Sequence, residues 1–221
     1  MEKSNITLDH IGLWCRDLEG SAQAFSKLMQ VSVEPGGRHD GQGTWNKLVG
    51  ATNGQYVELI GADPTQTATG PIIKAVGDQA DLTSCLAAYR TPDLEAVHAK
   101  VLAAGAESLG VQSMGRIGAD GKKLSWRLLF IRHRDHAVLP FFIDWQTTPH
   151  PSSRLAPALT VNAPIFKTPD PQGLAQLFTQ LGVPAQTEYG EQSEIAVSIR
   201  NGTISASASA TKSLSIDRME T

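Results

Sequence analysis

The chain contains 221 residues, 41% of them hydrophobic and 19% charged, a balance that excludes a disordered or fibrous protein. The formal net charge is -3 and the basic residues form no long run, which argues against a nucleic-acid partner. No segment approaches the roughly 20 apolar residues of a membrane-spanning helix, so we expect a cytoplasmic protein with no membrane partner.

The first predicted unit spans residues 6–62 and has the order strand, helix and three strands. Ile11–Leu18 contains its opening apolar strand and ends in a helix start at Asp17. Aspartate caps helix N-termini by accepting hydrogen bonds from free N–H groups. Thr52-Asn53-Gly54 is a strong hairpin signal between its last two strands.

The same order recurs over residues 82–147 and, more weakly, over residues 158–210. Arg90-Thr91-Pro92-Asp93 recurs as Lys167-Thr168-Pro169-Asp170, and the helices that follow end at glycines with the same offset. The repeat predicts an α+β fold of tandem βαβββ modules. The predicted organisation is a main domain of two paired modules, residues 1–147, and a third partial module, residues 158–221.

The third module has no fourth module in the chain with which to pair. We therefore expect it to pack against the first pair or against a second copy of the chain, which gives a homodimer.

Several short motifs in the first two units carry a family resemblance: Leu8-Asp9-His10, Pro35-Gly36-Gly37-Arg38-His39, Gly43-Thr44-Trp45-Asn46, Tyr56-Val57-Glu58-Leu59-Ile60 and Pro140-Phe141-Phe142-Ile143-Asp144-Trp145. They resemble the glyoxalase-like domain family of the vicinal-oxygen-chelate superfamily. The resemblance implies that the first two modules pair into a barrel of curved sheets around a small-molecule pocket. In that superfamily the pocket holds a divalent metal, which here would be Zn, Fe, Mn, Ni or Co.

The resemblance leaves the activity open, because the superfamily contains lyases, isomerases, epimerases, dioxygenases and binding proteins. One expectation is a lyase, isomerase or dioxygenase that acts on a small oxygenated substrate. The alternative is a protein that binds or sequesters a small molecule without chemistry.

The resemblance assigns two ligand positions of the first module to His10 and Glu58, which also makes them candidate catalytic residues. Strand alternation allows each side chain to face the pocket. In the second module Leu86 aligns with His10 and cannot ligate, whereas Asp144 aligns with Glu58 and is a candidate third ligand. The set of His10, Glu58 and Asp144 is one ligand short, and Ala163 of the third unit does not complete it.

His39 is the natural substitute for the missing ligand. It follows two glycines that permit a sharp turn, and it is interpreted as a third ligand, a general base or a surface histidine. A metal-free site, with His10 or His39 working together with Glu58 in acid–base catalysis, is a third hypothesis.

Candidate substrate-binding residues lie in the two tryptophan-containing strands. The alignment of Trp45 with Trp126 places Asn46 and Arg127 at equivalent positions, where an amide binds a carbonyl and a guanidinium binds a carboxylate or phosphate. Arg127 next to Asp144 is equally consistent with a buried ion pair. Trp45 and Trp126 are predicted to contribute to the cavity wall or to the core.

Overall fold

The structure is a computed structural model and describes residues 5–67, 70–76, 79–118, 121 and 123–216. The first module comprises β1 (Thr7–Cys15), α1 (Leu18–Met29), β2 (Glu34–His39), β3 (Thr44–Ala51) and β4 (Gln55–Ala62), and α2 (Pro71–Val76) follows it. The second comprises β5 (Thr83–Arg90), α3 (Leu94–Ala103), β6 (Glu107–Ser108), β7 (Gln112–Gly118), β8 (Lys123–Leu129), β9 (Ile131–Arg132) and β10 (Phe141–Asp144). The third comprises β11 (Thr160–Val161), β12 (Ile165–Thr168), α4 (Pro171–Leu181), β13 (Gln186–Tyr189), β14 (Glu194–Asn201), β15 (Ile204–Ala208) and β16 (Ser215–Ile216). The predicted α+β fold of tandem βαβββ modules is confirmed.

Eight of the described strands close a barrel in the order β1, β4, β3, β2, β7, β8, β10 and β5. Two antiparallel seams join the modules, because β1 pairs with β5 and β2 pairs with β7. Side chains alternate across each strand, so about every second residue faces the barrel interior. Each module therefore supplies one interior wall.

The seam between β1 and β5 shows how the two modules correspond. His10 lies opposite Ala88, and Gly12 lies opposite Leu86. A pseudo-twofold axis through this seam exchanges His10 with Leu86, and Gly12 with Ala88. The predicted alignment of His10 with Leu86 therefore agrees with the strand register.

The third module packs against the barrel. Its sheet has the order β13, β12, β14, β15 and β16, with β11 beside β14. The N–H of Ser84 on β5 donates to the carbonyl of Ser209 at 3.1 Å, and the N–H of Leu214 donates to the carbonyl of Leu82 at 2.9 Å. The division into a main domain and a separate partial module stays a prediction.

A continuous apolar core covers the outside of the barrel. Phe25 of α1, Val101 of α3 and Phe178 of α4 belong to one buried cluster that continues into the third module. Burying a large apolar side chain contributes about 1.5–3 kcal/mol. The helices are thus held outside, and the barrel interior is lined by other side chains.

The helix starts follow from local chemistry. The aspartate N-caps predicted at Asp17, Asp93 and Asp170 are confirmed, because each carboxylate accepts a hydrogen bond from the N–H three residues later. Among the described helices, none is long and apolar enough to cross a bilayer.

Candidate active site

The barrel encloses a cavity of about 650 Å³, measured with its open mouth. The first module supplies a largely polar wall, which includes His10, His39, Asn46, Tyr56 and Glu58. The second module supplies one charged residue, Arg116, and an apolar wall that includes Leu86, Met114, Trp126, Phe141 and Trp145.

A β-bulge in β1 brings Asp9 to the side chain of its neighbour His10. From Leu8 to His10, β1 advances by two residues while its partner β5 advances by only one. Asp9 is therefore the extra residue of the bulge. The Nδ1–H of His10 donates to Oδ1 of Asp9 at 2.6 Å. The bond fixes the tautomer of His10 and leaves Nε2 facing the cavity.

Two further donors hold the carboxylate of Asp9, which is 0% exposed. The Nε1–H of Trp145 and the Nε2–H of His150 donate to its Oδ2, at 3.2 and 2.8 Å. The N–H of Ser152 donates to Nδ1 of His150 at 3.2 Å, which assigns the proton of the neutral His150 ring to Nε2. Burial alone raises the pKa of Asp9, but the hydrogen bonds from His10 and His150 outweigh it and hold that pKa below its ordinary value.

Glu58 faces His10 across the cavity. Its Oε2 lies 3.7 Å from Nε2 of His10, beyond hydrogen-bond distance, so a substrate atom beside this gap can contact both groups. The ring of Tyr56 stacks on that of His10 with centroids 4.5 Å apart and restricts its rotation. Burial raises the pKa of Tyr56 well above its ordinary value, so the phenol stays neutral.

Asn46 joins Glu58 to His39. The N–H of Gly37 donates to Oδ1 of Asn46 at 2.9 Å, which fixes the orientation of the amide. Its Nδ2 then donates to Oε1 of Glu58 and, at 3.3 Å, to Nε2 of His39. Gly36 permits this arrangement, because a Cβ at that position would collide with Oδ1 of Asn46.

His39 is engaged at both ring nitrogens. Its Nε2 accepts from Asn46, and its Nδ1 lies 2.9 Å from the hydroxyl of Thr44. Burial lowers the pKa of His39, and the nearby Arg116 acts in the same direction. The structure therefore places His39 in the cavity as a neutral residue that positions Asn46, and not as a surface histidine.

Asp144 and Arg127 do not join this group, and the predicted ligand set of His10, Glu58 and Asp144 does not converge. Asp144 accepts from Nη2 of Arg127 at 2.7 Å, and Arg127 also binds Glu95 of α3, so both side chains lie on the outer face of the barrel. The sequence was also consistent with an ion pair between Arg127 and Asp144, and the structure shows this ion pair.

The strand register gives the reason for the placement of Asp144. Glu58 pairs with Gly12, and Phe141 pairs with Ala88, the counterpart of Gly12. Phe141 is thus the counterpart of Glu58, and Asp144 lies three residues further along. An odd shift moves a side chain to the opposite face of a strand.

The tryptophan pair divides in the same way. Trp126 lines the cavity, whereas Trp45 packs on the outer core with the guanidinium of Arg38 5.0 Å from its ring. Of Trp45 and Trp126, only Trp126 therefore lies in the cavity wall.

The donors present do not fit a resident divalent metal. The second-module counterparts of His10 and Glu58 are Leu86 and Phe141, which have no lone pairs to offer. The amide N–H group of Asn46 lies between Glu58 and His39, where a shared ion would need acceptors. Among the described residues, no group of three or more His, Cys, Asp or Glu side chains has an arrangement suited to a metal ion.

Sequence reasoning missed Asp9, His150 and Arg116. Asp9 stands in the motif that carried the resemblance, but strand alternation places it on the face opposite His10, and only the bulge reverses this. His150 is 141 residues away from Asp9 and was assigned no role. Nothing in the sequence distinguishes Arg116 from an exposed arginine.

Comparisons with known proteins agree with this architecture. The family model described as glyoxalase-like domain matches residues 8–182. A hypothetical protein from Staphylococcus aureus is 20% identical with a TM-score of 0.67, and the match covers 90% of this chain and 82% of that one. Methylmalonyl-CoA epimerases from Streptomyces coelicolor and Mycobacterium tuberculosis are 22% and 19% identical, with TM-scores of 0.46 and 0.48. These two matches cover 62% and 65% of this chain and 94% and 89% of the epimerases. None of the curated proteins matches this sequence.

Proposed function

This chain belongs to the glyoxalase-like domain family, and we propose that its cavity catalyses metal-independent proton transfer on a small oxygenated substrate. The observation that carries the proposal is the buried hydrogen-bonded pair of Asp9 and His10. The Nε2 atom of His10 faces Glu58 across the cavity. An imidazole held by a buried carboxylate is suited to act as a general base, because the carboxylate stabilises the imidazolium that forms.

The reaction class that fits two facing proton carriers is an isomerisation at a carbon next to a carbonyl. Nε2 of His10 takes the proton from that carbon, and the electron pair moves onto the carbonyl oxygen. As the electron pair returns from the oxygen and the carbonyl re-forms, the carboxyl of Glu58 gives a proton to the same carbon, which inverts that carbon when the proton arrives on its other face. The proton on His10 then passes to Glu58 across the gap. No oxidant or reductant is consumed. Dioxygenase chemistry would need a resident redox metal, which the donor set does not fit.

Solvent deuterium exchange tests the proposal without knowledge of the natural substrate. Small ketones, aldehydes and 2-oxo acids are incubated in D2O with protein treated with EDTA, and loss of the α-proton signal is followed by NMR. We expect catalysed exchange that the chelator does not change. His10→Gln should lower its rate by about 10²–10⁴-fold, the usual contribution of a general base.

His98→Gln is the matched control, because His98 lies on α3 outside the cavity. It should exchange like the unmodified protein. Equal exchange in His10→Gln would contradict the proposal, and exchange that depends on added Zn, Mn, Ni, Co or Fe would favour the metal hypothesis.

A sequestering protein without chemistry is the second candidate, and the apolar wall with Trp126 and Trp145 favours it. Under this alternative, ligands quench tryptophan fluorescence, but no exchange occurs. The predicted homodimer is a separate proposal, and a monomer by light scattering at micromolar concentration would contradict it.

A further inference from the structure

Arg116 is a buried cation that the proton transfer does not use. It lies on β7 opposite His39 of β2, at the seam between the modules, and it is 2% exposed. Among the described residues it forms no ion pair with a carboxylate. The hydrogen bond that the structure records for its side chain runs from Nη1 to Oδ1 of Asn46 at 3.5 Å.

A buried guanidinium without an ion pair is costly, because burial removes its hydration without a compensating charge. Burial accordingly lowers the pKa of Arg116, with opposing contributions from Tyr56 and Glu58. Glu58 is connected to it only through the amide of Asn46. The remaining N–H donors of Arg116 are therefore suited to an anion that enters the cavity.

Apart from Arg116, the described part of the wall that the second module supplies is apolar and offers no partner for a second charge. It includes Met114, Trp126, Leu128, Phe130, Phe141 and Trp145. The rings of Trp126 and Trp145 lie 5.3 Å apart and offer an aromatic surface.

We propose that Arg116 binds the carboxylate of the ligand, and that the ligand is a small monocarboxylate with an apolar or aromatic tail. The inference names a substrate class for the proposed proton-transfer site. Binding of the carboxylate does not depend on the proposed function, but the role of the ligand as a substrate rests on it. A carboxylate on Arg116 brings its adjacent carbons to the polar side of the cavity, where His10 and Glu58 lie.

Carboxylate fits better than phosphate for reasons of charge. Among the described lining residues, no lysine and no second arginine accompanies Arg116. A phosphate dianion would keep one negative charge without a cation to pair with it. A planar monoanion matches one guanidinium through two parallel hydrogen bonds.

Binding to the unmodified protein tests the ligand class directly. The probes are 3-phenylpropanoate, its neutral analogue 3-phenylpropanamide, propanoate without a ring, and phenyl phosphate. Calorimetry gives the affinities, and tryptophan fluorescence reports contact with the apolar wall. The phenyl carboxylate should bind at least about tenfold more tightly than the amide, since a hydrogen-bonded charge is worth about that factor. It should also bind more tightly than propanoate, which has no ring to bury, and more tightly than phenyl phosphate, whose second charge has no partner. Equal affinity of the amide, or tighter binding of the phosphate, would overturn the proposal.

Variants assign the effect to Arg116. Arg116→Gln should weaken 3-phenylpropanoate at least about tenfold and leave the amide unchanged, with Arg116→Lys in between. Arg134→Gln is the matched control, because that side chain is 90% exposed, and it should bind like the unmodified protein. If Arg116→Gln melts early, the comparison of acid and amide on the unmodified protein still decides.

His10→Gln separates this inference from the proposed function. It should keep the binding of 3-phenylpropanoate while it loses deuterium exchange. Exchange without selectivity for carboxylates would overturn the ligand class alone, whereas selective binding without exchange would overturn the catalytic proposal alone.

Discussion

Replacing Asp9 with asparagine tests how the site works, because it preserves the shape of the side chain and removes its charge. Asp9 accepts hydrogen bonds from His10, Trp145 and His150 while fully buried. The amide oxygen of Asp9→Asn can accept two of these bonds, and without the charge each is weaker than the bond to the carboxylate. That loss costs about 1–3 kcal/mol of folding stability.

The effect of Asp9→Asn on catalysis should exceed the effect on stability. The new amide N–H can donate to Nδ1 of His10, which moves the ring proton to Nε2, the atom that must act as the base. We expect the deuterium exchange rate at saturating substrate to fall about 10²–10⁴-fold, as expected when a histidine is held in the wrong tautomer. Binding of 3-phenylpropanoate should stay close to that of the unmodified protein. A fall of less than about threefold in exchange, in protein that is folded by circular dichroism, would refute the role of Asp9.

The pH dependence of stability gives a second measurement on the same pair. The pKa of Asp9 in the folded protein lies below its ordinary value of 3.8, so its contribution is fully present above that value and is lost as the pH falls further. Urea denaturation should show a smaller loss of unfolding free energy below pH 4 for Asp9→Asn than for the unmodified protein. An identical pH dependence would contradict the ionised state of Asp9.

Variants at three further places test other parts of the structure. Gly36→Ala should lower exchange at least about tenfold, measured by NMR, because its methyl displaces the amide of Asn46. Asp170→Ala should lower the unfolding free energy by about 0.5–2 kcal/mol in urea titrations, because α4 loses its N-cap. The double variant Leu86→His and Phe141→Glu should gain Ni²⁺ or Co²⁺ binding by calorimetry, whereas Leu86→His alone, which would complete a four-ligand site if Asp144 faced the cavity, should not; equal binding by both would contradict the register argument.

The sequence predicted the modules because their signals are local. Aspartate caps, helical spacing and hairpin turns act within a few residues, so the order of elements could be recognised without tertiary information. His10 and Glu58 came from the resemblance, and the structure brings both to one cavity. The alignment of His10 with Leu86 agrees with the strand register, whereas the alignments of Glu58 with Asp144 and of Asn46 with Arg127 do not.

The alignment of the tryptophan strands shows why register is hard to predict. Matching Trp45 to Trp126 placed Asn46 and Arg127 at equivalent positions. The hydrogen-bonded strand pairs give a different alignment, in which Trp45 is the counterpart of Arg127 and Asn46 is the counterpart of Leu128. This slip of one residue exchanges the faces of the strand. A conspicuous residue type is therefore a poor guide to register when the hydrogen-bonded partners are unknown.

The asymmetry of the barrel supports one mechanism more than its rivals. In a four-ligand site a metal ion supplies the positive charge that attracts a substrate anion, whereas in the proposed site Arg116 supplies positive charge to the carboxylate of the ligand. The apolar residues at Leu86 and Phe141 strengthen that effect by excluding water. Two charges 4 Å apart interact by about 4 kcal/mol at an effective dielectric constant of 20, against about 1 kcal/mol in water. The residues that replace the metal ligands thus make the remaining charges more effective, and both the proposed proton transfer and the proposed carboxylate binding depend on those charges.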